Sequence, residues 1–98
     1  MICHLVFYRM KQGFGKADED RLVEEAERQL SKVRGVRNLR AGRSIAGRGE
    51  GYSVALVMDF ADGAALEAYR ADPAHQRFVK EIAEPCVEEI WRFDFEWA

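Results

Sequence analysis

A chain of 98 residues, of which 48% are hydrophobic and 33% charged, has the length and balance of a soluble globular protein, so residues 1–98 are predicted to form a single domain. The net charge of −2 argues against nucleic acid or an anionic membrane as the main partner. No apolar run approaches the roughly 20 residues of a membrane span, and the first residues lack the layout of a signal peptide. We therefore expect a cytoplasmic protein.

The first half of the chain predicts a strand, a helix and a second, weaker strand. Ile2 to Met10 is short, apolar and rich in β-prone residues, which is typical of a strand. A helix is predicted over Asp18–Arg34, with Gly35 at the expected C-terminal cap. Its apolar residues recur at helical spacing: they are Leu22, Ala26, Leu30 and Val33. The weaker strand covers Val36–Arg43, and the glycine-rich segment AGRGEG after it is predicted to be a loop.

The second half predicts a strand, two short helices and a last strand. Tyr52–Phe60 is the strongest strand of the chain, and Asp62 can cap the short helix after it. Asp72 and Pro73 are the natural N-cap and first residue of the next helix. That helix is predicted to reach about Glu84, where Pro85 stops it. The last strand covers residues 87–97.

This order of elements predicts an α+β fold, namely a ferredoxin-like sandwich with a four-stranded antiparallel sheet and helices on one face. The first and third predicted strands are apolar on both faces, although a half-solvated sheet alternates apolar with polar residues. In the first strand, one face has His4, Val6 and Tyr8, and the other has Cys3, Leu5 and Phe7. Because the helices cover only one face, the sequence predicts a homodimer joined by the second face.

The two cysteines are predicted to remain free thiols. In this topology the first and last strands are antiparallel neighbours, and Cys3 and Cys86 both lie at the start of their strands. They therefore lie at opposite ends, beyond the roughly 7 Å between Cα atoms that a disulfide allows. No C-x-x-C motif is present, and two histidines without a carboxylate at fixed spacing do not specify a metal. We predict no cofactor and no metal.

His75 is the leading candidate for a functional residue. It lies in the first turn of the predicted helix and shares an i, i+3, i+4, i+7 stripe with Phe78, Val79 and Ile82, so it is expected to point inward. Burial and the helix N-terminus both disfavour the imidazolium form, and a neutral ring can act as a general base. The alternative is that the ring fills space and bonds a nearby carbonyl.

Tyr69 and His4 are the other two candidates. Tyr69 follows Leu66 by three residues, so it faces inward, as core or as a hydrogen-bond donor to a ligand oxygen. A lone histidine on a strand is more often a core residue with its hydrogen bonds satisfied, which is the alternative for His4. It can approach His75 if its strand face meets the helices, and a one-residue slip would reverse that face.

Five segments make the chain resemble the stress-responsive A/B barrel, or Dabb, domain family. They are ICHLVFYRM, GVRNLRAGR, GYSVALVMDFAD, LEAYRADPAHQRFV and FDFEW. The resemblance implies a dimeric α+β barrel of ferredoxin-like protomers, and many members of the family have no assigned reaction. In a plant polyketide cyclase of this family, the catalytic histidine and tyrosine correspond to His75 and Tyr69, and a further pocket histidine corresponds to His4. A pocket tyrosine of that enzyme falls on Ala26, so the resemblance does not extend to substrate shape.

Three functions are consistent with these observations. The first is a small-molecule pocket with cofactor-free proton transfer or aldol-type chemistry on a polyketide-like or aromatic carbonyl compound. In it His75 is the base, Tyr69 steadies an enolate oxygen and His4 orients or relays. The second is a non-catalytic stress-related structural or assembly protein. The third, by fold analogy only, is a cofactor-free monooxygenase.

Overall fold

A computed structural model describes residues 1–45 and 47–98 and shows the predicted ferredoxin-like α+β sandwich. The strands are β1 (Ile2–Met10), β2 (Arg37–Arg43), β3 (Val54–Phe60) and β4 (Val87–Glu96). The helices are α1 (Lys16–Leu30), α2 (Gly63–Ala71) and α3 (Pro73–Phe78), and a π-helical turn, Val79–Ala83, continues α3. The sheet has the order β2-β3-β1-β4, and every neighbouring pair is antiparallel.

Helix α1 begins and ends earlier than its apolar spacing predicts. It starts at Lys16 because Gly15 is the N-cap and donates its backbone N–H to the Asp18 carboxylate at 2.9 Å. It ends at Leu30, and the predicted continuation to Arg34 is wrong. Val33 is nevertheless buried, because its N–H bonds the Leu30 carbonyl at 3.1 Å in the turn that follows the helix. The spacing of apolar residues therefore continues past the helix itself.

The helices cover one face of the sheet, which we call the inner face. His4 lies opposite Met58 and Val6 opposite Leu56 in the β1–β3 pair, and all four residues are buried there. Leu22 and Leu30 of α1 close the core from above. This settles the strand parity that the sequence left open, because His4 lies on the helix side.

The opposite, outer face of the sheet is apolar and uncovered. Trp91, Phe93 and Phe95 of β4 are 60%, 56% and 43% exposed. Leu5 and Phe7 of β1 lie beside them, opposite Phe93 and Trp91. A cavity of about 700 Å³ opens on this face, lined by Leu5, Phe7, Val57 and Trp91 together with the residues around Arg40.

Strand β4 is an edge of the sheet, and its inner side is less covered than the rest of the inner face. Helices α1 and α2 pack over β2 and β3, whereas β4 packs along β1. The inner-face residues Arg92, Asp94 and Glu96 of β4 are exposed, and Arg70 of α2 reaches Asp94 at 3.1 Å. We call the strip of inner face between β4 and the helices α2 and α3 the cleft.

The loop before β3 is specified by backbone geometry. A Cβ atom on Gly49 would lie 1.9 Å from the Tyr52 carbonyl oxygen, so only glycine fits there. Gly51 has a φ of +88°, in the left-handed region that favours glycine. The predicted loop AGRGEG includes Ala46, which lies outside the described residues.

Cys3 and Cys86 are free and buried. Cys3 pairs with Phe95 near the end of β4, while Cys86 precedes the start of that strand, so the two thiols lie at opposite ends of the β1–β4 pair. In the part of the chain that the structure describes, no helix has the length and apolar character needed to cross a membrane.

Candidate functional site

Two aspartates fix the backbone that presents the site. The Asp62 carboxylate accepts from Ala65 N at 2.9 Å and starts α2. The Asp72 carboxylate accepts from Ala74 N at 2.8 Å and starts α3, with Pro73 as its first residue, as predicted. The Asp72 N–H donates to the Tyr69 carbonyl at 3.1 Å, which closes α2 immediately before α3 begins. Tyr69 and His75 therefore lie on either side of a rigid junction.

His75 is held in one tautomer by the end of α2. Its Nδ1 lies 3.2 Å from the carbonyl oxygen of Arg70. A carbonyl can only accept, so Nδ1 carries the proton and Nε2 keeps its lone pair. The ring is partly buried, less than the inward stripe predicts. A neutral His75 in this position is able to accept a proton through Nε2.

The environment of His75 favours that neutral form. Burial lowers the pKa of His75 from its usual value of 6.5, and the hydrogen bond to the Arg70 carbonyl opposes that shift in part. The charges of His4, Arg92 and Arg70 lower the pKa further.

Tyr69 lies between the two histidines. Its ring centroid is 4.3 Å from that of His75, 6.1 Å from that of His4 and 5.1 Å from that of Phe60. The ring is 2% exposed, and burial raises the pKa of Tyr69 well above 10, so the phenol is protonated at neutral pH. Its hydroxyl makes no hydrogen bond to the residues that the structure describes. It is therefore available as a donor to a bound molecule.

His4 is oriented by a residue that sequence reasoning missed. The His4 Nδ1 donates to the carboxylate of Asp94, which lies directly opposite on β4. The second oxygen of Asp94 accepts from Arg70 Nη2 at 3.1 Å. Arg70 also pairs with Glu67 at 2.6 Å. In the sequence, Asp94 is visible only as an acidic residue that alternates with aromatic residues in FDFEW. The register of the β1–β4 pair, which the sequence does not reveal, places it beside His4.

The three predicted residues thus converge at the open cleft beside β4. They come from three different elements: β1 supplies His4, α2 supplies Tyr69 and α3 supplies His75. Ala26, where the family resemblance fails, is fully buried in the core.

Two cavities of the described residues lie away from these side chains. The cavity of about 700 Å³ is on the outer face. A second, of about 310 Å³, lies beside the loop before β3 and is lined by Glu19 and Tyr52 among others. Among residues 1–45 and 47–98, no group of three or more His, Cys, Asp or Glu side chains is placed to hold a metal ion.

Comparison with known proteins decides the family. The family model described as the stress responsive A/B barrel domain, Dabb, matches residues 2–97. The chain belongs to the Dabb family. None of the curated proteins matches it.

Solved structures agree with this Dabb assignment. A Dabb family protein with a ferredoxin-like fold from Mesorhizobium loti is 31% identical, with 99% of this chain and 96% of that chain covered and a TM-score of 0.84. A dimeric ferredoxin-like protein of unknown function from Jannaschia sp. is 26% identical, with 98% of each chain covered and a TM-score of 0.75. The hydroxynitrile lyase from Passiflora edulis is 19% identical, with 96% and 90% covered and a TM-score of 0.81, which shows a shared fold.

Proposed function

We propose that this Dabb chain forms a homodimer and catalyses cofactor-free proton transfer on a small carbonyl compound bound in the cleft beside β4. The observation that supports it most is the hydrogen bond from His75 Nδ1 to the Arg70 carbonyl, which leaves Nε2 as an acceptor next to Tyr69. A general base needs both a free lone pair and a pKa near or below the working pH, and His75 has both.

The roles of the three side chains follow from their protonation states. His75 Nε2 removes a proton from a carbon next to a carbonyl group, and the electron pair of that C–H bond moves to the carbonyl oxygen as an enolate. Tyr69 donates a hydrogen bond to this oxygen, because its phenol keeps its proton. His4, whose ring is held by its hydrogen bond to Asp94, orients the bound compound from the side of the cleft formed by β1. Polyketide-like and aromatic carbonyl compounds have such acidic carbons and fit the proposal.

Relatives lend limited support to the reaction class. The Passiflora edulis protein is named a hydroxynitrile lyase, so its ferredoxin-like fold is compatible with chemistry. At 19% identity this likeness shows the fold alone. The reaction class therefore rests on the geometry of His75, Tyr69 and His4.

Deuterium exchange at an acidic carbon tests the proposal directly. The probe is methyl 3-oxobutanoate in D₂O buffer, and ¹H NMR follows loss of the C2 methylene signal. The wild type is expected to accelerate exchange, His75→Gln to lower the acceleration about 100-fold and Tyr69→Phe by a similar factor. Arg77→Gln, an exposed change two residues from His75, is the matched control and should keep the wild-type rate. Acceleration that survives in His75→Gln would contradict the general-base role.

A non-catalytic assembly protein is the second candidate. The observation in its favour is that the cavity of about 700 Å³ lies on the outer face and does not border His75. The same experiment separates the two functions, because an assembly protein would give no exchange above buffer with the wild type.

The homodimer is supported by the outer face. Four large aromatic residues are exposed on one strand and its end, which is unusual for a monomer: they are Trp91, Phe93, Phe95 and Trp97. Structural relatives from Jannaschia sp. and Bacteroides fragilis are described as dimeric. Sedimentation velocity at micromolar concentration should show a dimer, and a stable folded monomer there would contradict the proposal.

A further inference from the structure

Arg92 points into the same cleft as the candidate site. It lies on β4 opposite Val6, which is buried on the inner face, and two residues before Asp94, the partner of His4. Residues two apart on a strand share a face, so Arg92 and Asp94 both lie on the inner side of the sheet. Arg92 is exposed. Its guanidinium is therefore open to anything that enters the cleft.

Arg92, like Arg34, makes no ion pair within the described part of the chain, whereas Arg28, Arg43 and Arg70 do. Arg28 pairs with Glu25 at 2.6 Å, Arg43 with Asp20 at 2.9 Å and Arg70 with Glu67 at 2.6 Å. These pairs neutralise their guanidinium groups inside the protomer. The positive charge of Arg92 remains uncompensated at the cleft.

The strand register puts Arg92 near the proposed site. Asp94, the partner of His4, is two residues along β4 on the same inner face, and Arg92 lies opposite the buried Val6. The charge of Arg92 also acts on the two proposed groups, because it opposes the rise in the pKa of Tyr69 that burial causes and lowers the pKa of His75.

We propose that Arg92 binds a carboxylate group of the substrate, so that the carbonyl compound processed here is an organic monoanion. This inference rests on the proposed function of the cleft. A guanidinium binds a carboxylate through two parallel N–H···O hydrogen bonds, which fixes orientation as well as charge. Arg92 acts at a distance from the reacting carbon and selects the substrate.

The neighbouring charges favour a carboxylate over a phosphate. Asp94 and Glu96 lie on the same face of β4 as Arg92, and they disfavour a dianion. Asp94 shares Arg70 with Glu67, and Glu96 adds a further negative charge to this face, so the surroundings of Arg92 favour a ligand with one negative charge over one with two. The two-residue step from Arg92 to Asp94 spans roughly 7 Å along the strand, so the carboxylate is expected several bonds from the acidic carbon.

Two probes that differ only in charge test this assignment. The first is 1-methyl 3-oxohexanedioate, which has an acidic C2 methylene and a free carboxylate at the other end. The second is its dimethyl ester, which has the same methylene and no charge. Deuterium exchange at C2 gives kcat and KM for each probe with the wild type, Arg92→Gln, Arg92→Lys and Arg34→Gln. Arg34 is exposed and unpaired among the described residues, so it controls for the loss of one positive charge.

Arg92→Gln is expected to raise KM for the monoanion about fivefold and to leave KM for the dimethyl ester unchanged, and any change in kcat that follows from the altered pKa of His75 or Tyr69 should be the same for both probes. Arg92→Lys should fall between, and Arg34→Gln should match the wild type. Equal KM values for the two probes with the wild type would overturn the assignment. An equal increase in KM for both probes with Arg92→Gln would also overturn it. A dimer weakened by Arg92→Gln would show instead that this residue pairs across the subunit interface.

Failure of the proposed chemistry gives a different result. If the wild type does not accelerate deuterium exchange at C2 of either probe above the rate in buffer, the proton-transfer proposal is wrong. In that case ¹⁵N NMR titration with the same two probes gives dissociation constants, which replace the kinetic constants. Preference for the monoanion that disappears in Arg92→Gln would then keep the carboxylate site, and no preference would remove it.

Discussion

The two faces of the sheet are both apolar, yet they differ in what surrounds them. On the inner face, Leu56 is 1% exposed and Met58 is fully buried under the helices. On the outer face, Phe93 is 56% exposed and no element of the protomer covers it. The inner face therefore stabilises the protomer by itself, whereas the outer face can contribute its full hydrophobic free energy only in an assembly. Substitutions on the inner face should accordingly change the stability of the protomer, and substitutions on the outer face should change its assembly.

The largest effect is expected from two leucines on central strands. Leu56→Ala on the inner face should lower the free energy of unfolding by about 2–5 kcal/mol at any protein concentration. Leu5→Ala on the outer face should cost about 1 kcal/mol when the protein is dilute and monomeric, and more when it is concentrated. Urea unfolding at two protein concentrations measures both. Equal losses at both concentrations for Leu5→Ala would show that the outer face is not an interface.

Phe93→Asp is expected to separate assembly from folding. A charge in the centre of the aromatic patch should weaken dimerisation about 30-fold or more, while circular dichroism stays native. Sedimentation velocity gives the dissociation constant. Glu88→Asp, at an exposed position near the start of β4, serves as the control. A variant that unfolds would show that the outer face also supports the protomer.

Asp94→Asn should have a smaller effect, confined to the inner side of β4. The amide keeps the shape of the carboxylate but weakens its hydrogen bond to His4 and its ion pair with Arg70, at a cost of about 1 kcal/mol of stability. The loss should be the same in the monomeric Phe93→Asp background. ¹⁵N NMR of His4 should show a changed environment of Nδ1, and an unchanged spectrum would contradict the orienting role.

The smallest effect is the pH dependence that His75 contributes. Because its pKa in the folded protein is lowered below 6.5, the unfolded chain binds more protons at mildly acidic pH. The contribution to stability is complete above about pH 6.5 and decreases as the pH falls below it. Urea unfolding at pH 7.5 and 5.5 should show a smaller difference for His75→Gln than for the wild type. An NMR titration that gives His75 a pKa above 6.5 would reverse this sign.

Local signals in the sequence were sufficient for part of the molecule. The caps at Asp62 and Asp72 and the range of β1 agree with the structure, because each depends on neighbouring residues. The end of α1 was predicted wrongly, since burial of Val33 in a turn has the same spacing as burial in a helix. The π-helical turn after Phe78 also has no signal in the apolar pattern.

The site was only half visible from sequence for a related reason. The placement of Tyr69 and His75 follows from α2 and α3, which are adjacent in the chain. The pairing of His4 with Asp94 joins positions 90 residues apart and depends on strand register. Register is set by the whole sheet, so the order of residues along one strand could not reveal it.

The alternation along β4 constrains how this protein can evolve. From Glu89 to Phe95, odd-numbered residues such as Trp91 and Phe93 lie on the outer face, and even-numbered residues such as Arg92 and Asp94 lie on the inner face. Point substitutions can therefore alter the inner-face side chains and the outer aromatic patch independently. An insertion or deletion of one residue within this part of the strand would move the outer-face side chains to the inner face and the inner-face side chains to the outer face. Lineages descended from this chain should accordingly vary β4 in composition and keep its length, with length changes restricted to the turn at residues 84–86.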